Sequence, residues 1–147
     1  MITTIAKRFT FDAAHHLPMM PEGHKCRREH GHTYEVELVL RGVVRERLGM
    51  FVDYADIAEA WRPLHEMLDH HNLNHVPGLQ RCPTTEKLVE WIMVMLQRRA
   101  SDPLKNGREA SDVWSFLHAV RVKESSSTWC EGLVSDFISG SEVVDAG

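Results

Sequence analysis

Hydrophobic and polar residues change period several times along the chain. Residues 2–12 carry Ile2, Ile5, Phe9 and Phe11 among Thr and Lys, a β-branched and aromatic content that predicts a strand. Residues 13–31 are punctuated by Pro18, Pro21, Gly23 and Gly31 and read as a loop. Over 32–41, Tyr34, Val36, Leu38 and Leu40 alternate with Thr33, Glu35 and Glu37, the period of a half-buried strand. A turn near Gly49 leads to a short strand at Met50-Phe51-Val52. The period then becomes helical. Ile57, Trp61, Leu64 and Leu68 predict a helix over 54–69, with Asp53 as its cap and Pro63 kinking it by removing a backbone donor. Leu88, Trp91, Ile92, Met95 and Leu96 form the stripe of a second helix over 85–99, capped by Thr84 or Thr85. Residues 100–113, with Pro103 and Gly107, read as a surface loop. Phe116, His118, Val120 and Val122 alternate with Leu117, Ala119, Arg121 and Lys123 in another strand, and residues 129–134 add a short one. From Ser135 the chain is small and acidic, a loosely held tail.

Helices grouped between strands, without βαβ alternation, predict an α+β fold with an antiparallel sheet whose edges invite pairing with another copy. With 147 residues and no repeat, the chain reads as one domain, 1–147. Composition narrows the function classes. The net charge of -4 argues against a nucleic-acid partner. No apolar run approaches the roughly 18 residues of a membrane span. Three scattered cysteines, Cys26, Cys82 and Cys130, are no disulfide framework, and with no leader-like N-terminus the expected compartment is the cytoplasm.

Ten histidines are many for this length, and most fall within 15–32 and 65–75. In His30-Gly31-His32, imidazoles two apart on an extended segment point to the same side and can share one metal ion. A third ligand would come from the end of the first strand, where His15 competes with its neighbour His16. Three histidines with a fourth position open is a pattern of catalytic zinc, although the His-x-His spacing alone also arises by chance. Cys26, four residues before His30 and flanked by Lys25, Arg27 and Arg28, is a candidate base or nucleophile. A fourth ligand of a closed structural site, or an inert thiol, is the competing reading. Asp69-His70 could form an acid–base pair, while histidines at a helix C-terminus also suit the dipole. Glu124, at a strand end, could accept two hydrogen bonds from an amidine-like edge, or be a surface carboxylate.

In combination these segments are more specific. Phe11-Asp12-Ala13-Ala14-His15, Gly23-His24-Lys25-Cys26, His30-Gly31-His32, Leu68-Asp69-His70-His71, Pro83-Thr84-Thr85-Glu86 and Val122-Lys123-Glu124 occur in that order. From about residue 5 to 134 the chain resembles the 6-pyruvoyltetrahydropterin synthase family. It is most similar to the bacterial branch that makes 6-carboxy-5,6,7,8-tetrahydropterin for queuosine, in which the cysteine precedes His-Gly-His by four residues, as Cys26 does here.

The resemblance implies the tunnelling fold, an antiparallel four-stranded sheet with two helices on one face. Such subunits assemble into barrels as homo-oligomers built on trimers, often hexamers. It implies a pterin triphosphate substrate, 7,8-dihydroneopterin triphosphate, and a lyase reaction releasing acetaldehyde and triphosphate. His15, His30 and His32 match zinc ligands and Cys26 the general base. Asp69 and His70 match a proton relay, with His70 the acid–base group. Glu124 matches the pterin anchor and a further catalytic member of that relay, and Thr84 and Thr85 stand at pterin contacts. Lys25, Arg27 and Arg28 could meet the triphosphate on charge alone. Departures are His16, where an Arg is common, the length of 100–113, and Ser125-Ser126-Ser127-Thr128 after Glu124. A pyruvoyl-forming synthase and a non-catalytic zinc-stabilised pterin-binding module are the alternative readings.

Overall fold

In a computed structural model that describes residues 1–100 and 113–137, β1 (Ile2–His15) and β2 (His30–Val43) pair antiparallel along their whole length. The ladder runs from Ile2 opposite Val43 to His15 opposite His30. The predicted loop over 13–31 is therefore shorter, beginning after His15 and ending before His30. Prolines and glycines mark its interior, but Gly31 lies inside β2, where a Cβ would come within 3.3 Å of the Ala13 carbonyl. A short 3-10 turn, Lys25–Arg27, is the loop's regular part.

Period two decides the inner face. Phe11, Ala13 and His15 on β1, with Tyr34, Val36, Leu38 and Leu40 on β2, are buried. Helices α1 (Tyr54–Leu68) and α2 (Thr85–Ala100) lie on that face, and Ile57, Trp61, Leu64, Leu88 and Ile92 share one core with it. The Asp53 carboxylate accepts from Ala55 N at 2.8 Å and caps α1 as expected. Pro63 lies within one continuous helix.

The sheet has five strands, not four, in the order β3-β1-β2-β4-β5. The addition is β3 (His71–Asn72), which runs parallel to β1 and makes the sheet mixed. Two residues carry no readable period, and this segment reads from sequence as the exit of a helix. The expected strand at 50–52 is a single bridge between Arg45 and Met50. Phe51 there turns inward over Gly42, where a Cβ would stand 2.5 Å from the Phe51 ring. Strand β4 (Leu117–Lys123) pairs with β2 through a bulge that leaves His118 without a partner across the ladder, between Val39–Ala119 and Leu40–Leu117. Its predicted alternation is broken accordingly: Leu117, Ala119, Val120 and Val122 are all buried. Strand β5 (Trp129–Leu133) closes the sheet.

Most of the expected loop at 100–113 and of the tail lies outside the described residues. At their margins, Val113 and Trp114 are core residues, and Val134–Asp136 forms a 3-10 turn before Phe137, which packs on the core. The other face of the sheet is charged. Arg8 reaches Glu35 and Glu37 at 3.1 and 3.2 Å, and Arg121 pairs with Glu37 and Glu131. A concavity of about 380 Å³ lies over these residues and Trp129, on the side away from the histidines. No described helix is long and apolar enough to cross a membrane.

Candidate metal centre

The antiparallel register brings three histidines together. His15 lies directly opposite His30, and His32 opposite Ala13, so all three share the inner face at the end of the β1–β2 ladder. One ligand atom from each lies within 4.8 Å of the others, and this is the one such cluster among the described residues. His16, the competitor, is not a member. Neither is Cys26, so the closed four-ligand site has no support in this arrangement.

Backbone carbonyls set the tautomers. His15 Nδ1 donates to the Pro83 carbonyl at 2.8 Å, and His30 Nδ1 donates to the Arg28 carbonyl at 2.8 Å. Each Nε2 is then a lone-pair acceptor, and the two face each other at 3.1 Å. Two acceptors that close repel unless a cation lies between them. The third nitrogen, His32 Nε2, is buried with no hydrogen-bond partner and stands 3.5 Å from Glu124 Oε1. These are features of a metal site, since a metal-bound imidazole commonly donates its other N–H to a carbonyl or carboxylate. Three neutral imidazoles fit Zn²⁺. Burial lowers the His15 pKa, His30 and His32 lower it further, and the Pro83 carbonyl opposes them without reversing the direction. Neutral imidazole is the ligating form.

Of the other candidate residues, Glu124 contacts this centre directly and Thr84 is tied to it through the backbone. Glu124, just past β4, is partly buried and aims its carboxylate at His32. Thr84 caps α2, its hydroxyl accepting from Lys87 N at 3.3 Å, and it follows the Pro83 carbonyl that holds His15. The Thr85 hydroxyl donates to Glu86 at 3.1 Å. Cys26 is a free, half-buried thiol in the 3-10 turn. Its carbonyl accepts from Leu17 N at 2.8 Å, which ties the turn to the residues just after His15 and His16. Lys25, Arg27 and Arg28 beside it are exposed, and Arg27 donates to the Met20 carbonyl.

Asp69 and His70 form a separate pair where α1 meets β3. His70 Nδ1 lies 2.8 Å from Asp69 Oδ2, and the other Asp69 oxygen accepts from Asp12 N at 2.9 Å. The bond from Asp12 N and the His70 contact hold the Asp69 carboxyl below its ordinary range. The Asp69 carboxylate in turn raises the His70 pKa. His70 is the one non-glycine with positive φ among the described residues, at 58°, and its side chain is 77% exposed. No described hydrogen bond or ion pair joins this pair to the three histidines.

Two polar residues at the centre escaped the sequence reading. Tyr34, read as strand core, is fully buried with its hydroxyl 3.3 Å from His15 Nδ1, and burial pushes its phenol pKa well up. Asn74, read as part of a helix exit, is buried with every amide hydrogen bonded. Its one visible signal is an amide set between apolar Leu73 and Val76.

Known proteins resemble this chain in sequence and in fold. The model of a family described as 6-pyruvoyl tetrahydropterin synthase matches residues 4–133. The 6-carboxy-5,6,7,8-tetrahydropterin synthase of Synechocystis sp. is 39% identical over 101 residues, 63% of this chain and 74% of that one. The 6-pyruvoyl tetrahydrobiopterin synthase of Dictyostelium discoideum is 30% identical over 107 residues, 71% of this chain and 70% of that one. In fold, the chain is similar to the 6-pyruvoyl tetrahydropterin synthase of Caenorhabditis elegans, with a TM-score of 0.74 at 24% identity over 90% of this chain and 95% of that one.

Proposed function

The chain belongs to the 6-pyruvoyl tetrahydropterin synthase family, and from that premise we propose that it is a zinc-dependent carbon–carbon lyase. Its reaction takes 7,8-dihydroneopterin triphosphate and water to 6-carboxy-5,6,7,8-tetrahydropterin, acetaldehyde and triphosphate, a step toward queuosine and related 7-deazaguanines. The observation that carries this reading is the trio of His15, His30 and His32, with two Nε2 lone pairs facing each other and a third buried nitrogen that makes no hydrogen bond. Similarity to the Synechocystis enzyme and the Cys26-to-His30 spacing favour the carboxy-forming branch.

His15, His30 and His32 would hold Zn²⁺, which when bound acts as a Lewis acid toward the hydroxyls of the pterin side chain. Cys26 takes the proton from the side-chain carbon. The Asp69–His70 pair moves protons as the side chain rearranges, Asp69 keeping His70 oriented and charged. Glu124 accepts hydrogen bonds from the amino-pyrimidine edge of the ring, with Thr84 and Thr85 at the ring's rim. The exposed charge of Lys25, Arg27 and Arg28 suits the triphosphate. The outer edge of β1 before its two pairs with β3, and that of β5, have no strand partner among the described residues and suit pairing between copies, consistent with a trimer-based homo-oligomer in the cytoplasm.

Product analysis tests the proposal. Zinc-loaded protein incubated with dihydroneopterin triphosphate should release acetaldehyde together with 6-carboxytetrahydropterin by mass spectrometry. A stable 6-pyruvoyltetrahydropterin would instead place the chain with its pyruvoyl-forming relatives, a reading that the Dictyostelium similarity supports. Cys26→Ala should lower turnover by about 10²–10⁴-fold, the range of a lost proton-transfer group, and keep its zinc. Loss of zinc in that variant would make Cys26 a ligand and favour the non-catalytic module.

A further inference from the structure

The β1–β2 register turns His15 inward, and His15 is the last residue of that ladder, so nothing in β2 holds the chain beyond it. What holds the chain beyond it is a side chain. The Asn74 carboxamide oxygen accepts from His16 N at 2.9 Å, and its nitrogen donates back to the His16 carbonyl at 3.0 Å. The same nitrogen donates to the Gln80 carbonyl at 3.1 Å. Asn74 is itself pinned, its backbone N–H donating to Asn72 Oδ1 at 2.9 Å. It is only 8% exposed, so water does not compete for these bonds.

This two-point hold continues a ladder. β3 pairs with β1 at Ala13–His71 and Ala14–Asn72 and then stops. Asn74 then bonds both backbone groups of His16, as a neighbouring strand would, and extends the edge of β1 past its last residue. Side chains alternate along an extended chain, so fixing the direction of residue 16 fixes that of residue 15. We propose that Asn74 is a positioning residue for the metal centre, the group that clamps the end of β1 so that His15, turned inward by the register, stays facing His30 and His32. Only a carboxamide does this, for it must accept once and donate twice; a carboxylate would set its oxygens against two carbonyls. The proposal rests on the reading that the three histidines hold a metal.

The test is metal binding by the full chain, stripped and titrated with zinc against a chelator of known affinity, with Co²⁺ absorption reporting the ligand set. Wild type and His16→Ala should bind one ion alike. Asn74→Asp should bind zinc about ten-fold or more weakly, the usual cost of losing a group that orients a ligand, with an altered Co²⁺ spectrum. Adding His16→Ala to Asn74→Asp should change that spectrum again, because either imidazole can then reach the ion. Asn74→Asp with lowered thermal stability but wild-type affinity and spectrum would overturn the proposal and leave Asn74 a structural staple. Should Asn74→Asp not fold, then with Glu29→Ala as the control for the Asn72–Glu29 bond that is lost as well, Asn72→Ala releases the backbone N–H of Asn74. It should weaken zinc binding by about two- to five-fold, and unchanged binding overturns the proposal. If wild type itself binds no zinc, the metal reading falls and takes this proposal with it, whereas wild-type binding with unaffected variants strikes Asn74 alone.

Discussion

The two histidine-bearing regions of this molecule are built in opposite ways. His15, His30 and His32 stand at the end of a fourteen-residue antiparallel ladder, half-buried or buried, each on a rigid strand. His15 and His30 have their tautomers chosen by main-chain carbonyls. Asp69 and His70 stand where a helix ends and a two-residue strand begins, open to solvent. There, the His70 N–H donates to the Asp12 carbonyl at 2.6 Å, and φ is left-handed. The first region is preorganised for an ion that needs neutral donors in fixed positions. The second favours the charged form of an imidazole and leaves it open to solvent. Burial favours the neutral imidazole that a metal would need, and exposure beside a carboxylate favours the protonated one.

Three experiments probe that contrast, beginning with the largest expected effect. His30→Ala removes a donor from the preorganised set, and zinc affinity should fall by at least about 100-fold, measured by competition with a chelator. His70→Ala should leave zinc stoichiometry intact. An equal loss of metal in both variants would erase the distinction between the regions.

Asp69→Asn comes next. The Asp69 carboxylate raises the His70 pKa above its ordinary value, so imidazolium persists to higher pH than it would alone. A rate that needs protonated His70 is full below that raised pKa and declines as pH rises through it. Removing the carboxylate should move the decline toward lower pH and reduce turnover by about 10²-fold, read from a kcat–pH profile. An alkaline limb that does not move would separate His70 from the chemistry. The same linkage has a stability side: the paired imidazolium favours the folded state below the unfolded pKa, and that contribution is lost as pH rises through the folded one.

The smallest expected effect concerns backbone strain. A left-handed conformation costs a non-glycine residue roughly 1–2 kcal/mol, and His70 adopts one at φ 58°. His70→Gly should therefore hold or raise the thermal midpoint while activity falls, because the strain goes with the imidazole. A lower midpoint would mean that the Asp69–His70 bond contributes more to folding than the backbone conformation costs.

Legibility differed between the regions for the same physical reason. The triad rested on period two and a two-residue spacing, both properties of an extended chain that survive in any strand, so His30 and His32 could be paired from the sequence. Helix α1 and its Asp53 cap were equally readable, because period 3.6 and a capping carboxylate are local. The bulge at His118 was not readable, since it depends on how β4 meets β2. Nor was β3, two residues long and paired with a strand more than fifty positions away.

The choice between His15 and His16 marks the boundary. By itself the sequence determined a strand rich in β-branched and aromatic residues with a histidine doublet near its end, and a His-Gly-His segment whose two imidazoles share one side. The family resemblance named His15, and tertiary structure supplied the physical reason that it turns inward. That depends on the His15–His30 register and on the Asn74 carboxamide, which arrives from beyond α1 to grip the His16 backbone. Side-chain periodicity is inherited from the local chain, whereas the direction of one residue past a strand's end is set by whatever satisfies its backbone hydrogen bonds. Here the partner lies 58 positions away.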